Sequence, residues 1–301
     1  MCKKIEKAYA KINLYLDIEK KREDGFHDIF TIMQIVDLYD DVVISLNDTK
    51  NITLIMKDSP IDVPMEKNIA YIAAQKFYEN LNFEVNGRAD IEIIKRIPVA
   101  GGLAGGSADA AAVLRGLNDL YGNPYTVEDL CKIGASLGSD IPFSIVGGVQ
   151  ICRAKGECME ETHGIKNYCI LIACGDEKLS TAEQYTKLDR LYNDFVDYPI
   201  KEEFHKVNLG FSTEQYEEAF KGMYNVFESL YEENAKFKKT KDIMYSNSAK
   251  IAMLSGSGPS VFGVFYDRFQ AKKAQETLSK EGIKSYLCSP INRTYKLMSL
   301  T

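Results

Sequence analysis

A two-domain α+β protein is what this sequence predicts, and three observations carry the prediction. Period-two alternation of apolar and polar residues dominates the first hundred positions, as half-buried strands require. Helical spacing takes over where a glycine cluster or a capping residue interrupts that alternation. Near Gly156 the character changes to a continuous apolar run and then a long polar, helical stretch. At 301 residues the chain is long for one core, so two units, 1–155 and 156–301, fit both its length and that change.

Bulk composition narrows the function. A hydrophobic content of 45% is ordinary for a packed protein. With 37 basic and 43 acidic residues the net charge is −6, which speaks against a general nucleic-acid binder. The seven cysteines form no CxxC pair and are not clustered with the three histidines, so they read as reduced thiols and not as a zinc site or disulfide frame. No apolar run approaches the ~20 residues a bilayer crossing needs, and the first residues lack the apolar core of a signal peptide. The expectation is a soluble, cytoplasmic protein without a nucleic-acid or membrane partner.

Taken in order, residues 10–18 alternate cleanly. Ile12, Leu14, Leu16 and Ile18 share one face, and Lys11, Asn13, Tyr15 and Asp17 share the other. This predicts a half-buried strand with Lys11 and Asn13 projecting together, either into water or into a site. Asp24-Gly25 marks a turn, followed by Phe26-His27, a pair that could clamp a flat ring or simply pack. Residues 30–38, 41–46 and 52–56 read as three more strands. Asn68 opens a helix with Ile69, Ile72, Ala73 and Phe77 on one face. A strand at 91–95 then runs into Pro98-Val99-Ala100-Gly101-Gly102-Leu103-Ala104-Gly105-Gly106-Ser107-Ala108. The helix after it, about 107–121, stops at Gly122. Thr126 to Asp129 is a capping box for the next helix, to about 137. Asp140 stands in a turn before Pro142, where an Asx-turn or N-cap is the ordinary role. Residues 146–151 read as a strand pair about Gly147-Gly148.

The second half begins with a buried strand at 168–174. Residues 178–182 lead into a short helix, and 198–250 are polar and helical in pattern. A short strand at 251–254, a second glycine loop at Ser255-Gly256-Ser257-Gly258-Pro259-Ser260, a strand at 261–265, a helix at 269–280 and a last strand at 284–287 close the chain.

The chemistry concentrates in the first glycine loop. Strand, glycine turn and helix N-terminus together make an anion site, because glycine permits close backbone approach and the first helical N–H groups are unpaired. A tight turn with no ligand has the same local signature. The chain has no G-x-x-x-x-G-K-[ST], so it is not a P-loop protein. The loop reads Gly-Gly-x-x-Gly-Gly, not the dinucleotide G-x-G-x-x-G.

The stretch from Pro98 to Ala108 resembles the second motif of the GHMP kinases, with one glycine added. Ala10-Lys11-Ile12-Asn13-Leu14 and Leu254-Ser255-Gly256-Ser257-Gly258-Pro259 resemble that family's first and third motifs, in the same order. Lys21-Arg22, Asp24-Gly25-Phe26-His27, Lys95-Arg96-Ile97-Pro98 and Gly138-Ser139-Asp140-Ile141-Pro142-Phe143 resemble the branch that phosphorylates a cytidyl-linked methylerythritol in the non-mevalonate isoprenoid pathway. The resemblance implies a two-domain α+β fold, an ATP-binding domain like the second domain of ribosomal protein S5 followed by a ferredoxin-like domain. It implies ATP and Mg2+ as cofactors, a small-molecule alcohol as substrate, and a monomer or homodimer.

It also implies roles. Asp140 is the expected general base toward the acceptor hydroxyl, with Lys11 as its charged partner and Asn13 as a substrate contact. Pro98, Val99, Ala100, Gly101, Gly102, Leu103, Ala104, Gly105, Gly106, Ser107 and Ala108 would hold the ATP phosphates, with Asn68 and Lys95 near the adenine. Phe26, His27 and Tyr185 would sandwich and read cytosine, and Thr181 would lie near the substrate diphosphate. Gly256, Ser257 and Gly258 would lie near the reaction centre, and Ser107 is the candidate metal ligand. The family usually has tyrosine where Phe26 stands; stacking survives that change, while the hydroxyl contact does not. A homoserine- or mevalonate-type kinase, or a nucleotide-binding module without catalysis, are the alternatives.

Overall fold

The structure is a computed structural model and describes residues 2–175, 180–196, 198 and 201–295. In chain order its elements are β1 (Lys3–Lys21), β2 (His27–Asn47), β3 (Thr53–Lys57), α1 (Ile69–Glu79), β4 (Arg88–Ile94), α2 (Gly105–Leu120), α3 (Val127–Ala135) and α4 (Asp140–Val146). Then come β5 (Val149–Ala154), β6 (Cys158–Glu161), β7 (Cys169–Ala173), α5 (Thr181–Leu191), α6 (Glu202–Ser212), α7 (Tyr216–Gly222) and α8 (Ala235–Ser246). The chain ends with β8 (Ile251–Leu254), β9 (Val261–Phe265), α9 (Arg268–Lys280), β10 (Ser285–Cys288) and β11 (Pro290–Ile291). Asp176, Glu177, Lys178 and Leu179 lie outside the described residues, so the expected lead into α5 is seen only from Ser180.

Strand β2 is the spine of the first sheet. The two strands expected at 30–38 and 41–46 are one, because the chain between them stays extended and paired with β1, Tyr39 opposite Tyr9 and Asp40 opposite Ala8. One edge takes β1 along its whole length, antiparallel from Lys3 opposite Ser45 to Lys21 opposite His27. The other takes β4, β11 and β5 in succession, and β3 and β6 extend the sheet outward. Register shifts between Tyr9 and Lys11, and between Asn13 and Tyr15, bracket the Lys11–Asn13 pair. Such irregularities re-aim side chains locally.

Helices α1, α2 and α3 cover one face of this sheet. Ala73, Phe77, Val113, Leu114 and Leu117 pack there on Val42, Ile44, Ile91 and Ile93. The second sheet has the order β10-β7-β9-β8, fully antiparallel. With α5 to α8 before β8, and α9 between β9 and β10, this is a split β-α-β arrangement of the ferredoxin-like type. Alternate residues of β7 explain its continuous apolar run. Ile170 and Ile172 join a core shared with the first sheet, while Leu171 and Ala173 face α8 and α9.

The two sheets, not a point in the chain, define the units. Strand β6 still pairs with β5 beyond Gly156, and β11 returns to β2 from the far end of the sequence. This second layer changes the first expectation about β1. Residues 10–18 are buried on both faces, and the register shift after Asn13 breaks the expected alternation: Leu16 lines one face with Lys11 and Asn13, while Tyr15 joins Ile12 and Leu14 on the other. Two local readings also change. The pair of strands expected around Gly147 is instead the end of α4 followed by β5, with both glycines at positive φ in the connection. Asp140 is not in a turn but is the first residue of α4, after Ser139, whose side chain makes no capping hydrogen bond. The capping box at Thr126 and Asp129 is present, and all seven cysteines are free thiols.

Candidate active site

A cavity of about 1070 Å³ opens between the two domains. Its size admits two ligands side by side, since small-molecule sites usually span ~300–1,000 Å³. The glycine loop forms part of its wall. Ala100, Gly102 and Ala104 have φ of 56°, 75° and 56°, alternating with residues at negative φ. Alternating left- and right-handed residues turn successive N–H groups to one side and make an anion-binding nest. Alanine is the smallest side chain that can be held there, at a cost of ~1–2 kcal/mol each. The nest runs directly into α2, whose first three N–H groups, on Gly105, Gly106 and Ser107, find no acceptor among the described residues. The first bond of the helix is Ala108 N to Ala104 O at 2.9 Å. Three open donors at the positive end of a 16-residue helix suit a polyphosphate.

Gly101 and Gly102 serve a second purpose that the sequence did not suggest. A Cβ on Gly102 would stand 2.2 Å from the carbonyl oxygen of Ser255, and one on Gly101 would stand 2.9 Å from Ser260 Oγ. The two glycine loops are therefore pressed together. Ser260 N donates to Gly101 O at 3.3 Å, and Ser255 Oγ donates to Gly102 O at 3.1 Å. Thr181 joins the contact, its hydroxyl 3.3 Å from that of Ser257.

Lys11 and Asn13 stand where these loops meet β1. Lys11 N donates to Leu103 O at 3.1 Å, and Lys11 Nζ donates to Asn13 Oδ1 at 2.6 Å. Asn13 Oδ1 also accepts from Gly256 N at 2.8 Å, and Asn13 Nδ2 donates to Thr31 Oγ1 at 2.9 Å. Burial pushes the Lys11 ammonium below the ordinary lysine range, opposed by the negative charge of Asp140. Asp140 lines the same cavity, and its carboxylate makes no hydrogen bond or ion pair among the described residues. Lys11 and Asp140 thus feel each other's charge without closing a salt bridge.

Lys95 differs from expectation in what it touches. It lines the cavity, but its ammonium is held between Asp40 and Asp109, 2.6 Å from the latter. Burial would lower its pKa, yet the two carboxylates outweigh that and hold it charged. Asp40 also accepts from the backbone N–H groups of Arg96 and Ile97, which fixes the chain just ahead of the loop. Burial raises the Asp109 carboxyl, and its Oδ1 has no partner among the described residues. Asn68 caps α1, accepting from Ala70 N at 2.9 Å, and lines the cavity too. Pro98, Val99 and Ser107 line it as well, whereas Leu103 and Ala108 point into the cores and Gly258 packs against the Tyr231 hydroxyl.

The tip of the β1–β2 hairpin supplies the aromatic wall. Arg22 bonds both Asp24 and Asp28, and Asp24 Oδ1 accepts from Phe26 N at 3.1 Å, which shapes the turn at Gly25. Phe26 is 57% exposed, with the ammonium of Lys155 4.9 Å from its ring centre. His27 is buried, and Tyr185 does not stand apart to sandwich a third ring. It stacks on His27 itself, at 4.6 Å and 19°.

Asp40, Asp109, Thr31 and Asp189 also serve this site and were not anticipated. Asp109 sits on the buried face of an alanine-rich helix, where an acid is out of place; that was a usable signal. Thr181, Tyr185 and Asp189 recur every four residues and share one face of α5, a second such signal. Asp40 sits in an acidic run that reads as solvated surface.

The pattern of the GHMP kinases N terminal domain matches residues 68–148, and that of the GHMP kinases C terminal matches residues 210–284. The chain is 39% identical over 295 residues to a 4-diphosphocytidyl-2-C-methyl-D-erythritol kinase of Caldicellulosiruptor saccharolyticus, covering 94% of this chain and 97% of that protein. It is 41% identical over 281 residues to a protein of the same name from Alkaliphilus metalliredigens, covering 91% of each. A crystal structure of 4-(cytidine 5'-diphospho)-2C-methyl-D-erythritol kinase has the same fold, with a TM-score of 0.79, 24% identity, and coverage of 96% of this chain and 99% of that one. L. major mevalonate kinase in complex with R-mevalonate shares the fold at a TM-score of 0.75 and 14% identity, covering 96% of each chain.

Proposed function

The chain belongs to the GHMP kinases, and from that premise we propose that it transfers the γ-phosphoryl group of ATP to the 2-hydroxyl of 4-diphosphocytidyl-2-C-methyl-D-erythritol, giving the 2-phosphate and ADP. This is a step of the non-mevalonate route to isoprenoid precursors. The observation that carries the proposal is a single cavity lined both by the open amides of the glycine nest and α2 and by the Phe26–His27 hairpin tip, with Lys11 and Asp140 facing it.

Phosphoryl transfer needs positioning and charge neutralisation more than covalent chemistry. The nest and the first turn of α2 hold the ATP phosphates, with Asn68 and the Lys95 cluster forming the wall toward the base. Asp140, whose carboxylate has no partner among the described residues, accepts the proton of the 2-hydroxyl as the hydroxyl oxygen bonds to the γ-phosphorus and the bond to the departing ADP oxygen breaks. Lys11 is held by Asn13 and offsets negative charge on the phosphoryl oxygens in transit. Mg2+ neutralises phosphate charge when bound. Among the described residues no three acidic, histidine or cysteine side chains gather. That suits an ion held mainly by phosphates and water, with Ser107, the third residue of α2, as the side chain assigned to it. Phe26 offers a ring face to cytosine, His27 reads its edge, and Thr181 lies near the diphosphate.

The test is ADP release from purified protein with ATP, Mg2+ and one acceptor at a time: the cytidyl-linked methylerythritol, homoserine or mevalonate. Turnover with the first alone is expected. Turnover with either of the others and not the first would replace the proposal by that activity.

A further inference from the structure

His27 is read above as the residue that faces the acceptor's base, and the hydrogen bond behind it determines what it can read. His27 Nε2 lies 2.6 Å from Asp189 Oδ1, and Lys21 Nζ lies 2.9 Å from Asp189 Oδ2. Burial raises the Asp189 carboxyl, but the hydrogen bonds from Lys21 and His27 outweigh it and hold the group below the usual range. An ionised carboxylate only accepts, so Nε2 must carry the proton of this bond. In a neutral imidazole the other nitrogen is then a lone pair. Nδ1 has no partner among the described residues, and the side chain is only 5% exposed. The ring cannot swing away to exchange its nitrogens. Tyr185 stacks on it at 4.6 Å, and Phe195 meets it edge-on at 6.0 Å and 81°. Asp189 lines the cavity one helical turn after Tyr185.

We infer that Asp189 is a positioning residue that sets the base preference of the acceptor site, by keeping Nδ1 of His27 a hydrogen-bond acceptor. An acceptor there matches the exocyclic amino group of cytosine and opposes the carbonyl that uracil carries at the same position. A site built to hydrogen-bond one group discriminates strongly against an analogue that cannot reciprocate. The inference rests on the cytidyl acceptor proposed above. It adds that the preference for cytosine is imposed from α5, through the hydrogen bond behind His27.

The experiment compares cytidyl- and uridyl-linked methylerythritol as acceptors for the wild type and Asp189→Asn, at saturating ATP. Asparagine can donate to Nε2 and so admits the opposite tautomer. The wild type should favour the cytidyl acceptor, and in the variant the ratio of the two kcat/KM values should shrink about 10-fold. The change should lie in KM for the acceptor, with KM for ATP unmoved. An unchanged ratio overturns the inference while leaving the kinase reading intact; no turnover of the cytidyl acceptor by the wild type overturns both. Should the variant fail to fold, the ¹⁵N imidazole shifts of His27 in the wild type decide. The Nε2–H tautomer supports the inference, and the Nδ1–H tautomer overturns it.

Discussion

Asp140 makes no hydrogen bond or ion pair among the described residues, although it faces a cavity shared with a buried lysine. A carboxylate left out of every structural contact is available for chemistry. Asp140→Asn keeps size and polarity and removes the base. Turnover should fall by ~10²–10⁴-fold, with ATP affinity measured by titration changing less than about 2-fold. Asp17, on β1, is the contrasting case. Burial pushes its carboxyl up to about 6 against the pull of Lys201. The folded pKa lies above the unfolded one, so stability is lost as pH rises from about 4 to 6, and the whole cost is felt above that. Asp17→Asn should therefore raise stability by ~1–3 kcal/mol at pH 7. The gain should disappear below pH 4 in denaturant titrations at the two pH values. Alternation revealed that Lys11 and Asn13 point one way, but not that the register shift after Asn13 turns Asp17 to the other face. It could not reveal that these side chains are buried, because their cover comes from far along the chain, Gly256 over Asn13 and Lys201 over Asp17. Lys95 was legible as a member of the site but not as an ion partner, since Asp40 precedes it by 55 positions.

At the level of elements, short-range signals proved the most readable. The capping box at Thr126 is a pattern of neighbours, and so is the Asp24-Gly25 turn, and both are present in the fold. The fusion of two expected strands into β2 was illegible, because continuity there depends on pairing with β1 and not on local pattern. The short helix α4 was missed for a similar reason: seven residues carry little periodicity. The glycine loop was read as a phosphate cradle, and its geometry suits that use, but two of its glycines exist to meet the second loop. Gly102→Ala separates these roles. A methyl group 2.2 Å from the Ser255 carbonyl, on a residue at positive φ, should cost at least ~2 kcal/mol. It should also raise KM for ATP, because the nest is displaced with it. A melting temperature and an ATP KM both equal to the wild type would show that the loops are not coupled.

Across the whole molecule, the site exists only because two sheets share a core. Ile12 and Leu14 of β1 pack in one cluster with Ile170, Ile172 and Phe262 of the second sheet. That contact carries the second glycine loop onto Asn13, and α5 onto the hairpin tip. The order of motifs along the chain implied a two-lobed kinase, but only packing explains why residues from positions 11, 102, 140, 189 and 256 meet. The central claim is that one cavity places the 2-hydroxyl of the acceptor against the γ-phosphoryl of ATP. The ³¹P spectrum of the product tests it most directly, because the carbon bearing that hydroxyl also bears the methyl group and carries no hydrogen. A new phosphomonoester without three-bond proton coupling, formed in step with ADP, is the expected result. A monoester split by carbinol protons would place the phosphoryl group on another oxygen and contradict the proposed geometry.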